Sequence, residues 1–131
     1  IVEERTQRIP YFEAMKILTD SDAILLIGSD DPSYTASKLY PCILSKKPIL
    51  AIFHENSSVI NIMKDCNAGK IVSFGKETAH TSSVSSAQTA LAWLLSLPKG
   101  YEPETNWTAF EPYTAEKMTQ KQSDIFDRIC K

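Results

Sequence analysis

Three short apolar runs recur along the chain and set its hydrophobic pattern. They occupy residues 23–28, 48–53 and 70–75. The first has no alternation of apolar and polar residues and the other two repeat its pattern, which is typical of strands buried on both faces. Each gap between the runs is long enough for one helix, as parallel strands require. The pattern therefore predicts an α/β domain with a parallel sheet and flanking helices.

Apolar residues recur at helical spacing in three further segments, which are residues 10–18, 57–67 and 83–97. The second segment has Ser57 or Ser58 as its cap and Gly69 as its stop. The third ends at a breaker triplet, Pro98-Lys99-Gly100. The second and third helices are predicted to pack against the sheet.

The last part of the chain changes character twice. Residues 101–113 have no periodicity, and residues 114–131 return to a helical pattern. We predict that residues 101–131 form a connector and a carboxy-terminal helix, which pack on the same domain as residues 1–100. Core packing is the simpler interpretation of three aromatic residues in the connector, and anchoring of the last helix across another domain is the alternative. These residues are Trp107, Phe110 and Tyr113.

Composition narrows the class of protein. The 131 residues suffice for one domain, and a formal net charge of −2 offers no broad basic field, so generic nucleic-acid binding is not expected. No apolar run approaches the ~20 residues of a membrane span, and no signal-peptide pattern opens the chain. The three cysteines, Cys42, Cys66 and Cys130, lack metal-ligand spacing and are interpreted as reduced packing residues. We therefore expect a soluble, cytoplasmic protein.

Candidate chemistry is concentrated in residues 28–38, after the first predicted strand. Ligands of open α/β sheets bind beyond the carboxyl ends of the strands, where this segment lies. Asp31 can cap a helix whose first residue is Pro32, and the free N–H groups of such a helix end accept an anion. Five side chains would complete a diphosphate site: Ser33, Tyr34, Thr35, Ser37 and Lys38.

The same residues also fit a well-capped helix with a solvated polar first turn. The negative charges of Asp30 and Asp31 would repel a diphosphate unless they face a sugar hydroxyl or a cap. From the residues alone, the structural and the anion-binding interpretations are nearly balanced.

The order of residues in three pieces of the chain resembles that of GT-B glycosyltransferases. Residues 37–51 read S-K-L-Y-P-C-I-L-S-K-K-P-I-L-A, and the family segment reads S-K-L-F-E-Y-L-A-A-G-K-P-V-L-A. Residues 21–27 are similar to the family strand A-D-x-L-L-L-P, and residues 67–72 to x-A-G-x-V-V. The resemblance covers roughly residues 10–97 and includes the order and spacing of all three pieces.

This resemblance implies the carboxy-terminal, Rossmann-like domain of a retaining glycosyltransferase, which binds a nucleotide diphosphate sugar. The diphosphate would meet the helix that begins near Pro32, and Asp31 would bind a sugar hydroxyl. Transfer of the sugar to an acceptor would need an amino-terminal acceptor domain that is absent here, so this fragment alone is expected to be inactive. Because the chain opens with Ile rather than Met, we expect it to be a piece of a longer protein.

One departure from the family concerns two glutamates that lie eight positions apart on this helix. The glutamate that binds the ribose falls on Pro41, and the other falls on Ser33 or on Asp31. Proline cannot accept a ribose hydrogen bond, and inside a helix it removes a backbone bond. A kink at Pro41 that exposes the Ser37 carbonyl is therefore expected.

Two other functions remain open at this stage. A Rossmann-like module that has lost donor binding and acts as a scaffold or partner-binding surface is the main alternative, as Pro41 permits. A phospho-receiver domain is the second: Ser29 and Lys76 fit its strand ends, but the early acidic pair is limited to Glu3 and Glu4. No glycine-rich nucleotide motif and no metal-ligand spacing is present, so neither a cofactor nor a protein-held metal is expected.

The predicted sheet offers two further features: a histidine after its second strand and an open edge. His54 follows the second strand beside Glu55, where it caps the strand end or touches the donor sugar or base. The open edge of the sheet would invite pairing with a second copy, so the sequence leaves a homodimer open.

Overall fold

The computed structural model describes residues 2–31, 33, 34, 36–75 and 80–130, and of residues 80–82 only the backbone. Pro32, Thr35 and Lys76, which the sequence analysis singled out, lie outside the described residues. In chain order the elements are α1 (Tyr11–Asp20), β1 (Ile24–Ile27), α2 (Leu39–Leu44), β2 (Ile49–His54), α3 (Ser58–Asp65), β3 (Gly69–Phe74), α4 (His80–Ser96), α5 (Trp107–Phe110), a 3₁₀ turn (Glu111–Tyr113) and α6 (Ala115–Ile129).

The three strands form one parallel sheet in the order β1-β2-β3. Ile24 of β1 lies opposite Ile49 of β2, which lies opposite Gly69 of β3. This arrangement confirms the predicted α/β class with a parallel sheet, and it is compatible with a Rossmann-like fold. Each strand lies within one residue of the run that predicted it, because uninterrupted apolar runs at this spacing fit buried parallel strands.

The sheet separates two apolar clusters. On one face, Ile49, Ala51 and Phe53 of β2 pack with α2, α3 and the ring of Phe110. On the other face, Leu50 packs with Val72 of β3 and with the Ala90 and Leu94 side chains of α4. Successive residues of β2 point to opposite faces, and both faces are buried, so this strand is the centre of the domain.

The three cysteines differ in their surroundings. Cys42 and Cys66 are buried, and burial raises the pKa of both thiols, which keeps them protonated at neutral pH. These two are packing residues, as expected. Cys130 is exposed at the end of α6, so its interpretation as a packing residue is wrong.

Helix α3 begins as predicted but ends differently. Its cap is Ser57, whose hydroxyl oxygen accepts a hydrogen bond from the Val59 N–H. The helix ends at Asp65 because Asn67 takes a left-handed conformation (φ 49°), with the Ala68 N–H donating to the Met63 carbonyl. Gly69, predicted as the stop, is instead the first residue of β3.

The last helix is almost free of the sheet. No residue of α6 is buried, and the 3₁₀ turn is its main contact. Its cap is Thr114, whose hydroxyl accepts a hydrogen bond from the Lys117 N–H. Phe110, just before the turn, is a core residue, whereas Trp107 is exposed.

We expect Gly69→Ala to destabilise the protein far more than Gly100→Ala. Both glycines have positive φ (149° and 80°), but a Cβ on Gly69 would meet the Ile49 backbone carbonyl, whereas a Cβ on Gly100 would meet nothing within 4 Å. The positive φ alone costs about 1–2 kcal/mol, and the backbone clash adds to that cost. Urea denaturation of both variants measures the difference, and equal losses would contradict the close packing of β3 on β2.

Candidate functional site

The polar residues of interest lie beyond the carboxyl ends of β1 and β2. The segment after β1 carries Asp31, Ser33 and Tyr34, and the turn after β2 carries His54 and Ser57. Because the two strands are parallel neighbours, these segments meet at one edge of the sheet, the edge formed by the carboxyl ends of the strands.

The helix predicted to begin near Pro32 starts seven residues later. Helix α2 begins at Leu39 and has six residues, with Lys38 in the cap position and no side-chain capping bond. Asp31 does not cap it: one carboxylate oxygen accepts hydrogen bonds from the N–H (2.9 Å) and the hydroxyl (2.6 Å) of Ser33. Such a local turn competes with helix formation. The predicted helix end at Pro32, and with it the predicted anion-binding N–H groups, is therefore wrong.

The expected kink at Pro41 is also wrong, because α2 begins only at Leu39 and Pro41 therefore lies in its first turn. Pro41 is the third residue of α2, where a backbone N–H would have no partner within the helix. The proline therefore removes no helical hydrogen bond, and its carbonyl accepts from the Ser45 N–H in the ordinary way.

Ser57 joins the segments that follow β1 and β2. Its hydroxyl donates to the Tyr34 carbonyl (3.2 Å), and the side chain is only 2 % exposed. The same oxygen accepts from the Val59 N–H (3.3 Å), so one atom caps α3 and holds the preceding segment. The Tyr34 ring stacks on Phe53, with ring centroids 6.5 Å apart and an interplanar angle of 15°. Tyr34 is thus positioned by the core, although its ring remains partly exposed.

Asp31 and His54 have separate hydrogen-bond partners at this edge. The hydrogen bonds from the Ser33 hydroxyl and N–H lower the pKa of the Asp31 carboxyl. His54 is half-buried, with its ring edge against Phe74 and its Nδ1 accepting from the Asn56 N–H (3.2 Å). In the neutral ring the proton is therefore assigned to Nε2, which leaves that atom free to donate.

The remaining predicted site residues lie further along the same segment. Ser37 and Lys38 are exposed in the turn before α2. Thr35 lies outside the described residues. The structure therefore joins Tyr34 to the turn after β2 and holds Asp31 and Ser33 in a local turn just before Tyr34. It leaves Ser37 and Lys38 at the entrance of α2.

Sequence reasoning missed the role of Ser57 and gave His54 two competing roles. The sequence signalled Ser57 only as a helix cap, because its contact with Tyr34 spans 23 positions and has no local pattern. The position of His54 at a strand end was visible, but its proximity to Asp31 depends on the pairing of β1 with β2.

An apolar cavity of about 310 Å³ opens at the same edge of the sheet, on the side of α4. Its walls include Ile52, Val72 and Phe74 of the sheet together with Val84 and Ala87 of α4. None of the predicted site residues that the structure describes lines this cavity.

Among the described side chains, no three of the His, Cys, Asp and Glu types lie close enough to share a metal ion. None of the described helices is both long and apolar enough to cross a membrane.

Comparison with known proteins yields no relative. No family model matches the chain, and neither a curated protein nor a solved structure is significantly similar to it.

We expect the Asp31 carboxyl to titrate below its ordinary pKa, and Ser33→Ala to raise that pKa toward the ordinary value because both the hydroxyl donor and the turn geometry are disturbed. A lowered folded pKa stabilises the fold above the unfolded pKa, and this contribution disappears as the pH falls through the folded pKa. Carboxyl-carbon NMR measures the titration. Ser29→Ala is the control, because the Ser29 hydroxyl contacts the Asp31 N–H rather than the carboxylate.

We expect Ser57→Ala to lower the free energy of unfolding by about 1–2 kcal/mol, since it removes a helix cap and a buried hydrogen bond. Ser58→Ala, an exposed neighbour, should cost less. Chemical denaturation compares the two variants. Equal stability of both would show that Ser57 does not hold the two segments together.

Proposed function

We propose that the chain is the donor-binding part of a glycosyltransferase that transfers a sugar from a nucleotide diphosphate sugar. The observation that carries the proposal is the hydrogen bond from Ser57 to Tyr34. It unites the segments after two neighbouring parallel strands into one polar edge, where ligands of open α/β sheets bind. The resemblance of residues 21–72 to GT-B enzymes supplies the class of ligand.

In this proposal Asp31 and His54 recognise the sugar. A carboxylate of lowered pKa stays ionised at neutral pH and accepts hydrogen bonds from hydroxyl groups. His54 offers its Nε2–H as a donor, because Nδ1 is occupied by the Asn56 N–H. Together they provide one acceptor and one donor of the kind that a sugar hydroxyl pairs with.

The diphosphate is assigned to Ser33, Tyr34, Ser37 and Lys38, with Thr35 as a further predicted contact. Because α2 begins only at Leu39 and has six residues, side chains rather than a helix end must hold the phosphates. Lys38 is then the main cation, and it must offset the charges of Asp30 and Asp31. We therefore expect binding to this chain alone to be weak.

Catalysis in this proposal belongs to a longer protein in the cytoplasm. Transfer needs an acceptor held against the donor sugar, and the described residues offer one polar edge rather than an enclosed cleft. The proposed partner is an amino-terminal acceptor domain. We propose no interaction with nucleic acid or with a membrane.

A non-catalytic scaffold or partner-binding module is the second candidate. The short α2 favours it, because the helix end that would have bound a diphosphate is missing. In that case Asp31 and Ser33 form only a structural turn.

Calorimetric titration with UDP, GDP and ADP tests the two candidates. We expect one of the three to bind saturably, and Ser37→Ala combined with Lys38→Ala to weaken that binding about 10- to 100-fold. Loss of one charge-assisted phosphate contact, worth about 1.5–3 kcal/mol, gives a change of this size.

The matched control is Lys121→Ala, which removes the same charge from α6. Equal weakening by the control would indicate a non-specific charge effect and contradict the assigned site. No binding by any of the three nucleotides, with the fold intact, would favour the scaffold.

A further inference from the structure

The outer edge of β1 has no strand beside it among the described residues. The Ile24 N–H donates to the Pro48 carbonyl and the Gly28 N–H to the Ile52 carbonyl, so even-numbered residues of β1 face β2. Backbone groups alternate in direction along a strand, and those of Ala23, Leu25 and Ile27 therefore point outward.

The edge strand β1 is short, with four residues, but it lacks the other features that keep sheet edges apart. Residues 23–28 contain no charge and no proline, and the register with β2 runs without a bulge. The opposite edge, at β3, differs: it carries Ser73 and Lys70, whose ammonium lies 4.9 Å from the Trp93 ring. An unprotected apolar edge is a site for pairing with another strand.

On the face of the sheet that α4 covers, β1 has exposed apolar side chains near its carboxyl end and a cavity near its amino end. Ile27 is 68 % exposed and Leu25 is 49 % exposed, and both point to the side that α4 covers. At the other end of the strand, a cavity of about 250 Å³ lies between Ala23 and the Leu94 and Leu95 side chains of α4, and Asp22 and Lys99 also line it.

We propose that two copies of this chain pair through β1 in antiparallel orientation, about a two-fold axis at Leu25. In this register Leu25 lies opposite Leu25 of the second copy, and Ile27 lies opposite Ala23 of the second copy. Opposite residues share a face of the sheet, so Ile27 enters the cavity beside Ala23 of the second copy. The result is a continuous six-stranded sheet.

Self-complementarity is the reason for a second copy as the occupant. The incoming strand must be apolar on both faces, and β1 meets that condition. The register also places Asp22 opposite Gly28 of the second copy, so no like charges meet within residues 22–28. A register shifted by one pair would place Asp22 opposite Asp30.

Sedimentation velocity of the 131-residue chain tests the pairing. At about 100 μM, where a dimer of Kd up to about 10 μM is mostly associated, we expect a species of twice the 14.7 kDa chain mass. Ile27→Lys should give the monomer without unfolding it, because the side chain is exposed. Phe126→Lys on α6, 56 % exposed, is the matched control and should remain dimeric.

A monomeric wild-type chain overturns the proposal, and so does a dimer that survives Ile27→Lys. A dimer broken by Phe126→Lys would place the interface on α6 instead and overturn it equally.

Disulfide trapping tests the register. In a Cys130→Ser background, Leu25→Cys should cross-link to its copy, because directly opposed residues have Cα atoms about 5.5 Å apart. Ile27→Cys should not, since the two copies of residue 27 would lie about 13 Å apart along the strands. Cross-linking through residue 27 alone, or through neither residue, contradicts the proposed register.

Discussion

The pairing of β2 with strands on both sides is the interaction on which the rest of the structure depends. Ile49, Leu50, Ala51 and Phe53 are each at most 1 % exposed, so β2 contributes apolar side chains to both clusters. Its parallel pairing places the ends of β1, β2 and β3 at one edge. Strand β2 therefore both forms the centre of the hydrophobic core and positions the segments of the candidate site.

The chemistry of that edge follows from where each strand stops. Strand β2 continues two residues beyond Ile52, which lies opposite the last residue of β1, Ile27. The Ser57 hydroxyl after β2 bonds to the Tyr34 carbonyl after β1, and Phe53 near the end of β2 supports the Tyr34 ring. Acidic, hydroxyl and imidazole groups thus gather where the helix end predicted near Pro32 does not form, and the helix end that does lie there, that of α3, has its Val59 N–H capped by Ser57.

Local pattern was sufficient for the strands and for the start of α3. The three apolar runs predicted β1, β2 and β3 to within a residue, and Ser57 marked the start of α3. The start of α2 was not predictable in this way. Asp31 and Ser33 satisfy one another's hydrogen bonds, and the outcome of that competition with a helix depends on tertiary contacts of Tyr34. The apolar residues of α6 fit a helix, but periodicity does not say that none would be buried.

Mapping of backbone amide shifts during a UDP, GDP or ADP titration tests the central claim most directly, because it locates a ligand instead of only detecting it. The account predicts saturable shifts confined to residues 28–38 and to the turn from His54 to Ser57. Shifts confined to the apolar cavity beside α4, or to the exposed edge of β1, would contradict the proposed donor site.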